Sequence, residues 1–445
     1  MKKSFPDIKQ QKFIGVFFVL AGLAFGCSAV AQNYVQTNTY PVGIGPNNVS
    51  AVDVNGDGKL DLVSANDGAH FDGDTLTVLT NSGNGLFGSN AVYTVGRAPF
   101  VTAANLHDGG RPDLITANFY DSTVTVLTNN GSGGYGSNAL YSVGNGPFNI
   151  VAADVDHDGK LDLITANDGT SFDGNTLTVL TNNGSGVFGF NATYTVGYLP
   201  SVTAADLRGT GHPDLITANF DDDSLTVLTN NGSGIFGFNA TYDLDSGSSP
   251  INVVAEDVNN DTKLDLICAN SGTNTLTVLT NDGDGTFTWS ATLTVGYTPY
   301  VTAADANGDG KTDLVTANYD DDSLTVLTNN GSGIFGFNAT YNLDSGSSPF
   351  SVVAADLNND GRQELVSVNF GGDNLMVRLE LPVLNLQATN QNATISWPPN
   401  WAGYALQQTT NVASGNWAAV NNPTGTNHLI LPIQPTNSFF RLRHP

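Results

Sequence analysis

The chain has 445 residues and a formal net charge of −26, from 41 acidic and 15 basic residues. An acidic surface of that size repels nucleic-acid phosphates and anionic lipid headgroups, and it leaves divalent cations as the natural counterions. Only 13% of the residues are charged and 50 are glycine, a strand-and-turn composition rather than that of a disordered acidic tail.

The first 31 residues read as an export signal. A basic start with Lys2, Lys3, Lys9 and Lys12 precedes the apolar run Phe13–Phe25, and Ala29-Val30-Ala31 places cleavage before Gln32. The run is shorter than the ~20 residues a membrane span needs, so an integral membrane protein is not expected. Ala24-Phe25-Gly26-Cys27 is a poor lipoprotein box; it offers the alternative of a lipid tether at Cys27. If Cys27 leaves with the signal, Cys268 is the one cysteine left, and the exported chain needs a staple other than a disulfide. Cys268 lies in the apolar run Leu264–Ala269 and reads as a small buried thiol.

From residue 32 to 381 the chain repeats itself. Asp53-Val-Asn55-Gly-Asp57-Gly-Lys59-Leu-Asp61-Leu returns with variations from Asn105, Asp154, Asp206, Asp257, Asp305 and Asp356, a period of about 50 residues that suits a four-stranded propeller blade. Each unit reads as an apolar strand, the aspartate loop, a second strand, a period-2 strand such as Thr75–Thr80, a glycine-rich turn, and a fourth strand. Asn-Gly steps in those turns favour the tight hairpin connection. The last unit has no fourth strand of its own, whereas a spare one, about Asn38–Val42, precedes the first. The expected fold is therefore an all-β, seven-bladed β-propeller whose N-terminal strand closes the last blade, leaving no unpaired edge between the ends.

Aspartate at alternate positions of a tight loop calls for a cation. Two carboxylates ~4 Å apart repel by about 4 kcal/mol at an effective dielectric near 20. A hard cation taking six to eight oxygens removes that repulsion; an all-protein, flexible oxygen set favours calcium over magnesium, and zinc would want His or Cys. The loop opens like an EF-hand, but its last acidic residue stands at position 9 instead of 12 and a strand follows it.

That variant resembles the FG-GAP/VCBS repeats of integrin α-type propellers. Phe87-Gly88, Phe188-Gly189, Phe236-Gly237 and Phe335-Gly336 are similar to the family's Phe-Gly pair. The Gly-x-x-Pro motifs ending at Pro46, Pro99, Pro147, Pro200, Pro250, Pro299 and Pro349 are similar to its Gly-Ala-Pro portion. The resemblance implies calcium ligands in five loops, with the carbonyl of the seventh residue included. They are Asp53, Asn55, Asp57, Lys59 and Asp61; Asp154, Asp156, Asp158, Lys160 and Asp162; and Asp257, Asn259, Asp261, Lys263 and Asp265. The remaining two sets are Asp305, Asn307, Asp309, Lys311 and Asp313; and Asp356, Asn358, Asp360, Arg362 and Glu364. Thr262 stands where the others have glycine, so the fifth loop is expected to bind more weakly. The second and fourth loops depart from the pattern, with His107 and Arg208 at a ligand position, and are expected to stay empty, the Arg208 guanidinium pairing with Asp206 and Asp214. Four or five calcium ions per chain follow, in a structural role.

The loops of the opposite face differ most between copies. They hold acids, Asp221-Asp222-Asp223 and Asp320-Asp321-Asp322, and aromatics, including Phe100, Phe119, Phe148, Tyr198, Tyr297 and Tyr300, which suit a carbohydrate or an extracellular protein as partner. The competing reading makes those aromatics a plug of the channel mouth. No Ser/His/Asp, Cys/His or metal-hydrolase spacing appears among the six histidines. The expected function is thus that of a secreted or cell-surface monomer for binding, adhesion or scaffolding, with no catalytic residues. The alternative is an extracellular polysaccharide-active hydrolase or lyase. Residues 382–445 bring Trp397, Trp401 and Trp417 and read as a small β-sandwich-like module, similar to a fibronectin-III half and to surface-sorting tails.

Overall fold

The computed structural model describes residues 34–380 apart from 71, 84, 108 and 109, and six strands between 385 and 443. The signal segment 1–31, with Cys27, lies outside the described residues. No helix among the described residues is long and apolar enough to cross a membrane.

Residues Thr37–Arg378 form one compact unit made of seven four-stranded antiparallel sheets. In blade 1, β2 (Pro46–Val52), β3 (Asp61–Asn66), β4 (Thr75–Asn81) and β5 (Phe87–Thr94) pair in that order. Five further blades repeat this order. The last is built from Pro349–Ala355, Glu364–Asn369 and Asn374–Glu380, and its fourth strand is β1 (Tyr34–Pro41), so the ring closes as the strand count requires. The closing strand begins four residues earlier than the alternation suggested.

The first strands of neighbouring blades touch one another around the ring and line a central cavity of about 580 Å³ walled by Ser50, Val52, Thr102, Thr302, Val353 and Ala355 among others. The second strand of every blade is buried along its whole length, because both of its faces pack against blades. That explains its continuous small and apolar composition. Between blades 4 and 5, for example, Leu207, Ile216, Leu225 and Val227 meet Val253, Leu266, Cys268 and Leu279. The second residue of each aspartate loop (Val54, Leu106, Val155, Leu207, Val258, Ala306 and Leu357) is buried and anchors its loop to this core.

The second unit includes the C-terminal residues from Leu379. Its described part is two three-stranded sheets: Asn385–Ala388, Asn392–Ser396 and His428–Pro432 in one, and Ala418–Ala419, Ala405–Thr409 and Phe439–Arg443 in the other.

Candidate metal loops and the two faces of the propeller

The aspartate loop joins the first and second strands and the glycine-rich turn joins the third and fourth, so antiparallel pairing puts both on one face. Within the loop the first carboxylate gathers backbone N–H groups. Asp53 accepts from Gly56, Asp57 and Gly58, and Asp154, Asp257, Asp305 and Asp356 each accept from the fifth and sixth residues of their own loops. The third side chain, Asn55, Asp156, Asn259, Asn307 or Asn358, accepts the N–H of the fifth residue at 2.8–3.3 Å. These bonds wrap the loop into a cup of oxygens.

The ninth residue closes the cup and does more than the sequence suggested. Asp61, Asp162 and Asp265 are fully buried, and each accepts the N–H of the loop's second residue and that of the asparagine ending the third strand: Val54 and Asn81, Val155 and Asn182, Val258 and Asn281. Asp313 accepts Asn329 N–H at 2.7 Å, but its buried Oδ2 finds no donor in bonding geometry, Ala306 N–H being bonded to the Ala304 carbonyl at 2.9 Å. Glu364, one methylene longer, takes Leu357 N–H and the Asn358 amide, both at 2.8 Å. Burial pushes the Asp162 and Asp313 carboxyls up to about 6 and raises Asp61 and Asp265, with the acids of their own loops adding to the shift. Without a cation the ionised loop is disfavoured.

In the third loop Asp154, Asp156 and Asp162 each bring an oxygen within 4.8 Å of the others, a set able to hold a metal ion. Asp158 turns outward. Its carboxylate pairs with Lys160 at 2.9 Å, which holds its pKa below the usual value; Asp57–Lys59 (3.4 Å) and Asp309–Lys311 (3.2 Å) repeat the arrangement. Thr262 takes a φ of 70°, the left-handed conformation that Gly58, Gly159, Gly310 and Gly361 adopt at the same position.

The second and fourth loops are filled from within. Arg208 clamps Asp214 through Nε and Nη2 at 3.0 and 2.8 Å, and His107 Nδ1 meets Asp113 Oδ2 at 2.5 Å. Asp206 is not hydrogen-bonded to the guanidinium side chain: its carboxylate takes the Thr210 and Gly211 N–H groups at 2.9 and 2.6 Å. Asp108 of the second loop lies outside the described residues.

Asparagine at the end of the third strand looked like turn chemistry, yet it staples blade to blade. The Asn182 amide donates to the carbonyl of Leu161 in its own blade and of Leu106 in the blade before; Asn230 and Asn281 do the same with Pro213 and Val155, and with Leu264 and Leu207. Asn81 reaches Leu357 of blade 7 at 2.6 Å and closes the ring. Three of the four Phe-Gly motifs have a similar task. Phe87, Phe188 and Phe236 stand edge-on to Tyr40, Tyr141 and Tyr194 of the preceding blade, whose hydroxyls accept their N–H groups. No local pattern announces these partners, because they lie one blade away.

The acids of the opposite face turn out to be mostly engaged. Asp222 and Asp321 accept the N–H of Tyr198 and Tyr297; Asp223 caps Gly247 and Ser249, and Asp322 caps Gly346 and Ser348, holding the connections between blades. Phe100 and Phe119 are buried, with Phe100 against Phe148 and Phe119 against Phe172, as a plug would be, whereas Phe172, Tyr198 and Tyr297 are exposed. Exposed aromatics at the rim were missed altogether: Phe190, Phe238, Trp289 and Phe337 occupy one register position of the outer strands in blades 3 to 6, at 68, 69, 41 and 70% exposure. Alternation alone hides them, since residues two apart share a face, and a register shift falls at this position in all four blades.

A ring of four-stranded blades, each opening on an aspartate loop, defines a repeat propeller. Residues 109–165, 206–268, 257–316 and 305–367 match the FG-GAP-like repeat, and the chain belongs to the FG-GAP propeller family. Solved structures share the fold. Virginiamycin B lyase from Staphylococcus aureus aligns over 77% of this chain and 99% of its own, with a TM-score of 0.52 and 13% identity. BBS1N in complex with ARL6DN aligns over 79% and 97%, with a TM-score of 0.57 and 11% identity. Identities this low carry the fold alone. No curated protein matches the chain.

Proposed function

We propose that this is an exported, calcium-stabilised propeller that binds a partner without transforming it. The observation that supports the metal reading is the convergence of Asp154, Asp156 and Asp162. Three carboxylates so close need a compensating positive charge, and an all-oxygen cup suits calcium. The ions would sit in the loops of blades 1, 3, 6 and 7, with a weaker fifth in blade 5, held by the residues at positions 1, 3 and 9 and the carbonyl at position 7; the position-5 carboxylates Asp57, Asp158 and Asp309, expected as ligands, pair with lysine instead and would have to turn inward to join them. Their work is structural. Each would tie the first hairpin of a blade together in a chain that Cys268 alone cannot cross-link.

The partner is a carbohydrate or an extracellular protein, and the face opposite the metal loops, with Phe172, Tyr198 and Tyr297 exposed, is where it would dock. Adhesion or scaffolding outside the cell, by a monomer released or held at the surface, is the setting this reading calls for. The test is a glycan and peptide binding screen on the purified mature chain, with and without chelator, beside a metal count. Binding without consumption of the ligand, and four or five calcium ions per chain, are the expected results. Cleavage of a polysaccharide by the protein would overturn the binding reading in favour of a hydrolase or lyase.

A further inference from the structure

The seven loops fall into two kinds, and two features divide them in the same place. In blades 1, 3, 5, 6 and 7 the third residue is Asn or Asp, and the residue before the last acid is Leu60, Leu161, Leu264, Thr312 or Gln363. In blades 2 and 4 the third residue is basic, His107 or Arg208, and the residue before the last acid is a proline, Pro112 or Pro213.

The structure joins the two features. Asp113 and Asp214 are buried like the ninth residues of the other loops and keep the same backbone bond, from Asn129 and Asn230 N–H at 2.9 and 2.8 Å. Their remaining oxygens meet the basic side chain. Arg208 binds Asp214 in the two-pronged manner and also donates from Nη2 to the Asn230 carbonyl at 2.7 Å, tying the loop to the end of the third strand. His107 reaches Asp113 through Nδ1.

Building on the calcium reading above, we propose that blades 2 and 4 fill their loops from the chain itself. The Arg208 guanidinium replaces the ion in blade 4, the His107 ring fills the same place in blade 2 through its hydrogen bond to Asp113, Pro112 and Pro213 replace the ordering an ion would bring, and the two loops hold their shape in the absence of calcium. A tethered guanidinium is present at every calcium concentration and loses no translational freedom on binding, and the bidentate arginine–carboxylate pair is the strongest of the side-chain ion pairs. Proline narrows the unfolded ensemble of its loop, which is the ordering a bound ion otherwise provides. The arrangement also distributes calcium dependence unevenly. Blade 3 lies between two self-sufficient blades, whereas blades 5, 6, 7 and 1 form an unbroken run around the closed ring that relies on the metal, so loss of calcium loosens that arc first.

Amide hydrogen exchange followed by mass spectrometry on the whole mature protein, in calcium and in chelator, tests this. Faster exchange is expected around Asp61, Asp162, Asp265, Asp313 and Glu364 on chelation, smallest around Asp162, with no change around Asp113 and Asp214. An equal response from all seven loops overturns the tethered-cation proposal and leaves the calcium reading standing. No response anywhere, with no calcium bound, overturns both. A gain-of-site variant supplies a second readout: Arg208→Asn with Thr210→Asp restores Asp-x-Asn-x-Asp in blade 4 and is expected to add one calcium ion per chain. A count unchanged from the parent protein, in a variant that keeps the parent's circular dichroism, counts against the proposal.

Discussion

Replacing Cys268 with threonine is expected to stabilise the propeller. In five blades a hydroxyl on the second strand donates to the asparagine two residues on: Ser64 to Asn66 at 3.2 Å, Thr116 to Asn118 at 2.8 Å, Thr165 to Asn167 at 2.9 Å, Thr217 to Asn219 at 2.8 Å and Thr316 to Asn318 at 2.8 Å. Blade 5 has Cys268 at that position, and the buried Asn270 Oδ1 has no partner there. Its amide nitrogen is held by Thr275 and Thr277, so the oxygen has no freedom to turn elsewhere. Restoring the donor forms a buried hydrogen bond worth ~1 kcal/mol and relieves an acceptor whose isolation costs ~1–3 kcal/mol; desolvating the new hydroxyl offsets part of this, leaving a gain of about 1–2 kcal/mol. The comparison is urea unfolding of the parent, Cys268→Thr and Cys268→Val, the last matching threonine in shape without its hydroxyl. Threonine no more stable than valine would refute the reasoning. The parent thiol, fully buried and with its pKa raised by that burial, should stay unreactive toward thiol reagents until the protein unfolds.

Asn182→Ala removes the donors to Leu106 and Leu161 and leaves two buried carbonyls open, a loss of about 3 kcal/mol or more in denaturant unfolding; a loss under ~1 kcal/mol would show that the asparagine row does not staple blades. Thr262→Gly relieves a left-handed threonine and should gain about 1 kcal/mol and tighten calcium at the fifth loop, read by chelator competition; an unchanged or lower affinity would contradict the strain argument. Asp67, 5% exposed, has its carboxyl pushed up to about 7 by burial, with the nearby Asp72 charge adding. A raised carboxyl pKa favours the folded state fully below the unfolded value near 3.8, and that contribution is lost as pH climbs to about 7. Asp67→Asn should therefore gain on the parent between pH 4 and pH 8 by something on the order of 4 kcal/mol; an equal gap at the two pH values would dismiss the burial effect.

Local sequence sufficed wherever the interaction is local. The period of the aspartate loops specified the blade count and strand alternation specified the four strands, both from patterns within one repeat, and the count of fourth strands specified how the ring shuts, because it left the spare N-terminal strand one blade to complete. The oxygen cups were legible for the same reason: positions 1, 3 and 9 converge within one tight turn of the third loop, although the position-5 carboxylate turned out to pair with the lysine two residues on. Contacts between blades were decided by the tertiary structure alone. Asn182 reads as a turn residue until the loop of the preceding blade places the Leu106 carbonyl against its amide. Asp223 and Asp322 read as acids available to a ligand until the neighbouring connections supply backbone N–H groups to cap. Those partners are about one and a half repeats or half a repeat away, and a buried or capping polar group takes whichever partner packing brings into hydrogen-bond range. Sequence therefore determined an FG-GAP ring with an oxygen-rich loop opening each blade. Only the packed ring decided which of its polar residues hold the blades together and which remain free to meet something else.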